Sequence, residues 1–124
     1  MIAGVGIDII EVERVIEKVD KENGFRDLVF SRLEIDHCEG NGRRAENYAG
    51  RFVAKEAFLK ATGLGLTIGY TLSEIEVLND AIGKPGLLLH GAFQQEARDR
   101  GWAKVHLSIT HINSIAAAVV VIEM

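Results

Sequence analysis

From Ile2 to Ile10 the chain alternates apolar residues with glycine or acid. Ala3, Val5, Ile7 and Ile9 fall on one face and Gly4, Gly6 and Asp8 on the other, the period of a β-strand. The second face is bare until it reaches a carboxylate, and such a face admits close approach of a backbone or a ligand. From Glu11 the period becomes that of a helix. Val12, Val15, Ile16 and Val19 form an apolar stripe, Glu13, Arg14, Glu17, Lys18 and Lys21 lie outside it, and Asn23-Gly24 ends it. Phe25 to about His37 predicts a second helix that packs Phe25, Leu28, Val29 and Leu33. After a loop from Glu39 to Gly42 come Arg43 and Arg44, then a long helix from about Ala45 to Thr62. Gly63-Leu-Gly65 closes that helix and begins a connection to Gly69. Two strands, Glu74 to Leu78 and Gly86 to His90, flank a turn in which Pro85, lacking an amide hydrogen, belongs at the strand's start. A short helix from Ala92 to Arg100 precedes a hairpin of Val105 to Thr110 and Ile115 to Glu123, with His111 to Ser114 at its tip. This order predicts a single α+β domain over residues 1–124 with a mainly antiparallel sheet.

Composition narrows the function. With 124 residues the chain is sized for one core, and 48% hydrophobic against 26% charged residues is globular. A net charge of −4 argues against a general nucleic-acid binder. The longest apolar run, Ile115 to Ile122, is of strand length, so no membrane span is expected. The N-terminal Met1-Ile-Ala-Gly-Val-Gly lacks a signal-peptide pattern. Cys38 is the single cysteine, which excludes an intrachain disulfide and fits a reducing, cytoplasmic setting. It reads as a bland thiol. His37 and His90 read as surface or strand-end residues, and His106 and Trp102 as structural ones.

Chemistry concentrates in Arg51-Phe-Val-Ala-Lys-Glu-Ala-Phe-Leu-Lys-Ala61. At about 100° per residue Glu56 and Lys60 point the same way, flanked by Phe52 and Leu59 on one side and Val53 and Ala57 on the other. Charges inside an apolar face need a partner because unpaired burial is costly. The alternative is an i,i+4 pair that merely supports the helix. Asp8, the Glu56–Lys60 pair and His111 are three pieces that a fold could bring together. Two carboxylates without clustered cysteine or histidine suit Mg²⁺, which fills its shell with water and substrate phosphates. A nearby lysine and histidine would neutralise phosphate charge.

Five segments together carry a resemblance over nearly the whole chain. They are Gly4-Val-Gly-Ile-Asp-Ile-Ile-Glu11 with Arg14, Phe25 with Arg32 and Glu34, Ala49 to Ala61 followed by Gly63 and Gly65, Gly83-Lys-Pro85, and Leu107-Ser-Ile-Thr-His111. In that order they resemble the holo-acyl-carrier-protein synthases, the short bacterial 4′-phosphopantetheinyl transferases. The stretches Glu39 to Gly42 and Leu66 to Thr71 match no sharp pattern.

The resemblance implies that Asp8 and Glu56 bind Mg²⁺ with the pyrophosphate of coenzyme A, that Lys60 contacts the transferred phosphate, and that His111 helps position the coenzyme. It implies that Gly63, Arg51, Lys84 and Pro85 belong to the coenzyme site, the last three around the adenosine and its 3′-phosphate. A serine of apo-acyl carrier protein would attack the β-phosphorus and release adenosine 3′,5′-bisphosphate, in the service of fatty-acid biosynthesis. Glu56, directly or through a metal-bound water, is the first choice to take the serine proton, with Asp8 second. Arg14, Lys18, Lys21 and Arg26 would meet the acidic carrier despite the chain's net negative charge; for Lys18 and Lys21 a solvated helix face is the alternative. The family also implies a homotrimer with active sites between subunits. A silent relative that binds without transfer, and a magnesium-dependent phosphohydrolase, are the competing functions. A dead copy would most readily lose Asp8, Glu56 or Lys60, and all three are present.

Overall fold

The structure, a computed structural model, describes residues 1–40, 42–64 and 70–124. Strand β1 (Ile2–Glu11) leads straight into helix α1 (Val12–Asp20), whose Val12, Val15 and Val19 are buried as the stripe requires. Helices α2 (Phe25–Val29) and α3 (Arg32–Glu39) replace the single helix expected from Phe25 to His37. The break comes at Ser31. Its hydroxyl accepts the Glu34 amide while the Glu34 carboxylate accepts the Ser31 amide, a capping box that starts a new helix. Because the axis changes there, the packing expected of Leu28 and Leu33 fails: they are 65% and 60% exposed.

Helix α4 (Arg44–Thr62) is the spine of the domain and ends at Gly63, whose φ of 73° completes a left-handed cap. A 3₁₀ turn (Leu72–Glu74) leads into β2 (Ile75–Asn79) and β3 (Pro85–Leu89), an antiparallel pair with Pro85 at the start of its strand. Helix α5 (Gly91–Arg100) precedes β4 (Lys104–His111) and β5 (Ile115–Glu123). The expected Gly65–Gly69 connection lies outside the described residues.

The main sheet has the order β1-β5-β4, antiparallel throughout. Its inner face packs on α4. An added Cβ at Gly6 would lie 2.0 Å from the Ala57 carbonyl oxygen, and one at Gly4 would lie 2.0 Å from that of Ala61. The bare face of β1 thus admits the backbone of α4 within the same chain, and the close contact sets Asp8 beside the helix. The opposite face is apolar yet uncovered. Val5, Ile7 and Ile9 are exposed, and β1 pairs them with Val121, Val119 and Ala117 of β5.

Candidate active site

Asp8 continues the face begun by Gly4 and Gly6, so the strand that is stripped bare to receive α4 delivers a carboxylate to the helix surface. Lys60 reaches back from α4 and donates to Asp8 Oδ1 at 3.0 Å. Glu56, one turn before Lys60, is half-buried. Burial raises its pKa above the ordinary carboxylate value and the neighbouring Asp8 charge raises it further, while Lys60 and Lys18 pull the other way. Two carboxylates are therefore close enough to repel, with the Lys60 ammonium paired to Asp8. The expectation that Glu56 and Lys60 sit inside an apolar face is half met: the Lys60 side chain is 57% exposed.

Asp8 and Glu56 line an open groove of about 490 Å³ with Glu11, Arg14 and Phe52 also on its walls. Arg14 is exposed on the rim, so the first helix and the carboxylates share one surface. Lys18 is exposed along the same helix and Lys21 just past its end, which comes before the Asn23-Gly24 expected, and the Lys18 ammonium lies 5.9 Å from the centre of the Phe25 ring. Arg26 is more engaged, with Asp27 at 3.2 Å and Glu39 at 3.8 Å.

The donor set fits magnesium. Among the described residues no third histidine, cysteine, aspartate or glutamate joins a cluster. Two carboxylate oxygens with room beside them are what a cation that retains water and phosphate ligands uses. A zinc site would need more protein ligands.

His111 does not reach this groove in the single chain. As the last residue of β4 it pairs its Nδ1 with Glu46 at 2.8 Å. Glu46 precedes Glu56 by ten residues, about 15 Å along the helix. Donation from Nδ1 would leave Nε2 to accept or to contact a ligand. Glu46 was not legible as a site residue, because only the fold pairs it with His111.

Lys84 and Pro85 lie elsewhere again. They line a second cavity, about 510 Å³, between the β2–β3 hairpin and β4, and it shares no lining residue with the carboxylate groove. Arg51 is only 5% exposed, and its Nε has no hydrogen-bond partner among the described residues. A buried guanidinium with an idle donor is costly unless an anion completes it. Gly63 caps α4 just beyond Lys60.

Sequence reading missed the most deeply buried charge. Lys55, not Lys60, is fully enclosed, paired with an equally buried Glu34 at 2.8 Å. Cys38 is buried, with its thiol pKa pushed up to about 12 by burial, and is inert as expected. His90 pairs with Glu76, and His106 pairs with Glu123.

Residues 4–120 match the model of the 4′-phosphopantetheinyl transferase superfamily. A holo-[acyl-carrier-protein] synthase of Geobacter sulfurreducens is 43% identical over 124 residues, spanning 99% of this chain and 98% of the relative. The crystal structure of the synthase from Neisseria meningitidis superposes with a TM-score of 0.90 at 30% identity, covering all of both chains. That from Bacillus anthracis, in complex with CoA (3′,5′-ADP), superposes with a TM-score of 0.80 at 39% identity, over 98% of this chain and 96% of that one.

Proposed function

The chain belongs to the 4′-phosphopantetheinyl transferase superfamily, and on that premise we propose that it moves the 4′-phosphopantetheine group of coenzyme A onto a serine of apo-acyl carrier protein. The observation that carries the reading is the groove lined by Asp8, Glu56 and Arg14, with Lys60 paired to its Asp8. A hydrolase would need the carboxylates and the lysine. It would have no use for a basic helix leading to them.

Asp8 and Glu56 would hold Mg²⁺ through their carboxylate oxygens. When bound, the ion supplies positive charge that offsets the pyrophosphate and polarises the phosphorus under attack. Lys60, mostly exposed beyond its contact with Asp8, is free to turn its ammonium to the transferred phosphate. It stabilises the charge that builds as the bond to the leaving oxygen breaks. The serine oxygen bonds to the β-phosphorus, the bridging oxygen leaves with adenosine 3′,5′-bisphosphate, and the serine proton passes to a carboxylate. Glu56 is the first choice of acceptor: in the ion-free protein burial and the Asp8 charge raise its pKa above the ordinary carboxylate value, and a bound cation would offset part of that rise.

The coenzyme's far end needs other residues. The Lys84 ammonium suits the 3′-phosphate, Pro85 and its cavity suit the adenosine, and Gly63 leaves room beside Lys60, whereas the Arg51 Nε is closed off from solvent in the single chain. His111, oriented by Glu46, would steady the coenzyme through its outer nitrogen. The separation of these groups from the carboxylate groove supports a site completed by a second copy. The uncovered Val5, Ile7 and Ile9 face supports a trimer built through the sheet. The carrier, an acidic protein, docks on Arg14, Lys18 and Lys21, with Arg26 contributing less because Asp27 and Glu39 already hold it. Fatty-acid biosynthesis in the cytoplasm is the setting this reaction fits; no helix among the described residues is long and apolar enough to cross a membrane.

The test is to incubate the protein with coenzyme A, Mg²⁺ and apo-carrier and weigh the carrier. A gain of one phosphopantetheine group supports transfer. Coenzyme breakdown without that gain means hydrolysis, and binding without either means a silent relative.

A further inference from the structure

The helix that carries Glu56 meets β1 through its smoothest side. Gly4 and Gly6 face the backbone at Ala57 and Ala61, so closely that an added Cβ at Gly6 would lie 2.6 Å from the Ala61 nitrogen. Glycine against alanine brings the elements near, but it offers few interlocking side chains to resist sliding or rotation. The directional contacts lie on the other side. Lys55 is about 200° round the helix from Ala57, and its side chain is wholly enclosed. An ammonium has three protons to donate, and here three acceptors take them. They are Glu34 Oε1 at 2.8 Å, the Leu72 carbonyl at 2.9 Å and the Ile75 carbonyl. The acceptors come from three elements: α3, the 3₁₀ turn and β2. Glu34 is itself fixed, accepting from the Ser31 and Val77 amides.

We propose that Lys55, held by Glu34 and by the Leu72 and Ile75 carbonyls, is a positioning residue that sets the rotation and axial register of α4, and with them the placement of the Glu56 carboxylate against Asp8. This rests on the assignment of Asp8 and Glu56 to the reaction. Lys55 and Glu56 are consecutive, so whatever turns one turns the other. At a helix radius of about 5–6 Å a rotation of about 10° moves a rim group by about 1 Å. A misplacement of that size costs on the order of 10² in rate.

The decisive variant is Glu34→Met/Lys55→Met, which removes both charges and keeps the volume. Replacing both members of a buried pair is often neutral for stability, whereas Lys55→Met alone strands a carboxylate. The expected result is a folded protein that melts below the parent, because the Ser31 and Val77 amides and the Leu72 and Ile75 carbonyls lose their side-chain partners. Its kcat should fall about 10- to 100-fold and its KM for coenzyme A should stay within about threefold. Its crystal structure should show the Glu56 carboxylate displaced from Asp8 by about 1 Å. Glu34→Asp, which keeps both charges and withdraws the carboxylate by one methylene, should lower kcat several-fold with KM unchanged; it decides the matter if the double variant does not fold. A folded double variant, or Glu34→Asp, with parental kcat and an undisplaced Glu56 would overturn the proposal. The parent is assayed first, and its failure to modify the carrier would count against the proposed function. The displacement of Glu56 is read without turnover, so the two failures are separable.

Discussion

Gly6→Ala tests whether the site depends on backbone contact between β1 and α4. The added methyl would lie 2.0 Å from the Ala57 carbonyl oxygen and 2.6 Å from the Ala61 nitrogen. Even a close C–H···O contact sits at about 3.3 Å, so the first distance is short by about 1.3 Å. Both obstacles are main-chain atoms, so no rotamer change relieves them and the helix must retreat by roughly 1 Å. Overpacking of this kind costs about 1–3 kcal/mol, and the rigid surroundings put this case at the upper end. For a domain of this size about 3 kcal/mol corresponds to a melting temperature lower by about 10 °C. The retreat also carries Glu56 away from Asp8, so transfer should fall with stability. The assay is thermal unfolding followed by circular dichroism at one fixed protein concentration, because an oligomer melts in a concentration-dependent way. Gly42→Ala is the control: among the described residues nothing lies within 4 Å of its added Cβ. A Gly6→Ala protein that melts no lower than the Gly42→Ala control would refute the reasoning.

Three further outcomes follow from the site. Glu56→Gln should lower transfer at least 10²-fold and leave a folded protein. The native state of the parent holds the Glu56 proton more tightly than the unfolded chain does, because burial and Asp8 raise that carboxyl's pKa. The parent's stability therefore drops relative to the Gln variant as pH rises from the ordinary carboxylate range through the raised value. Melting curves at several pH values check this, and a parent that gains stability relative to the Gln variant as pH rises through that range would contradict it. Arg14→Ala should raise KM for the carrier about tenfold, roughly one charge-assisted contact, and leave KM for coenzyme A nearly unchanged. Steady-state kinetics varying each substrate separates the two effects, and equal effects would remove the docking role. Ile7→Lys places a charge at the centre of the uncovered sheet face. It should convert the protein to monomer in light scattering and reduce transfer at least tenfold; a monomeric parent would reject the assembly.

What could be read from the chain was whatever local periodicity encodes. The alternation of glycine with apolar residues in β1 foretold both the strand and the close approach to it, and α4 was found within a residue at its start. The break at Phe30 and Ser31 was written in Ser31-Arg-Leu-Glu34, a capping-box pattern masked by the apolar residues on either side. The pairing of Asp8 with Lys60 agreed with the expected grouping. Burial of charge did not follow from periodicity. Helical angles placed Lys60 in an apolar stripe, but that stripe ends at the sheet's edge, where a long side chain reaches out. Lys55 was not singled out, because α3 and β2, which enclose it, are distant in sequence. The partner of His111 was hidden for the same reason.

The distribution of groups along α4 has a functional logic. One helix carries Glu46 with His111 near its start, the idle Arg51 a turn and a half later, and Glu56 with Lys60 toward its end. Glu46 and Lys60 are fourteen residues apart, about 21 Å of helix. In coenzyme A the reactive β-phosphorus lies one phosphate from the adenosine, so its 3′-phosphate and its reacting centre sit closer together than the two ends of this helix. Laid against one copy of the chain, they would not span those ends, and the face of that helix between the two ends is packed against the β-sheet and α3. Two copies joined through the bare sheet face, as proposed above, would remove that obstacle, one supplying the carboxylates and lysine and the other the histidine and the cavity at Lys84. The apolar strand face and the divided chemistry are then two consequences of the same design: β1 turns its glycines inward to seat Asp8 on α4, and that choice turns Val5, Ile7 and Ile9 outward toward a neighbour.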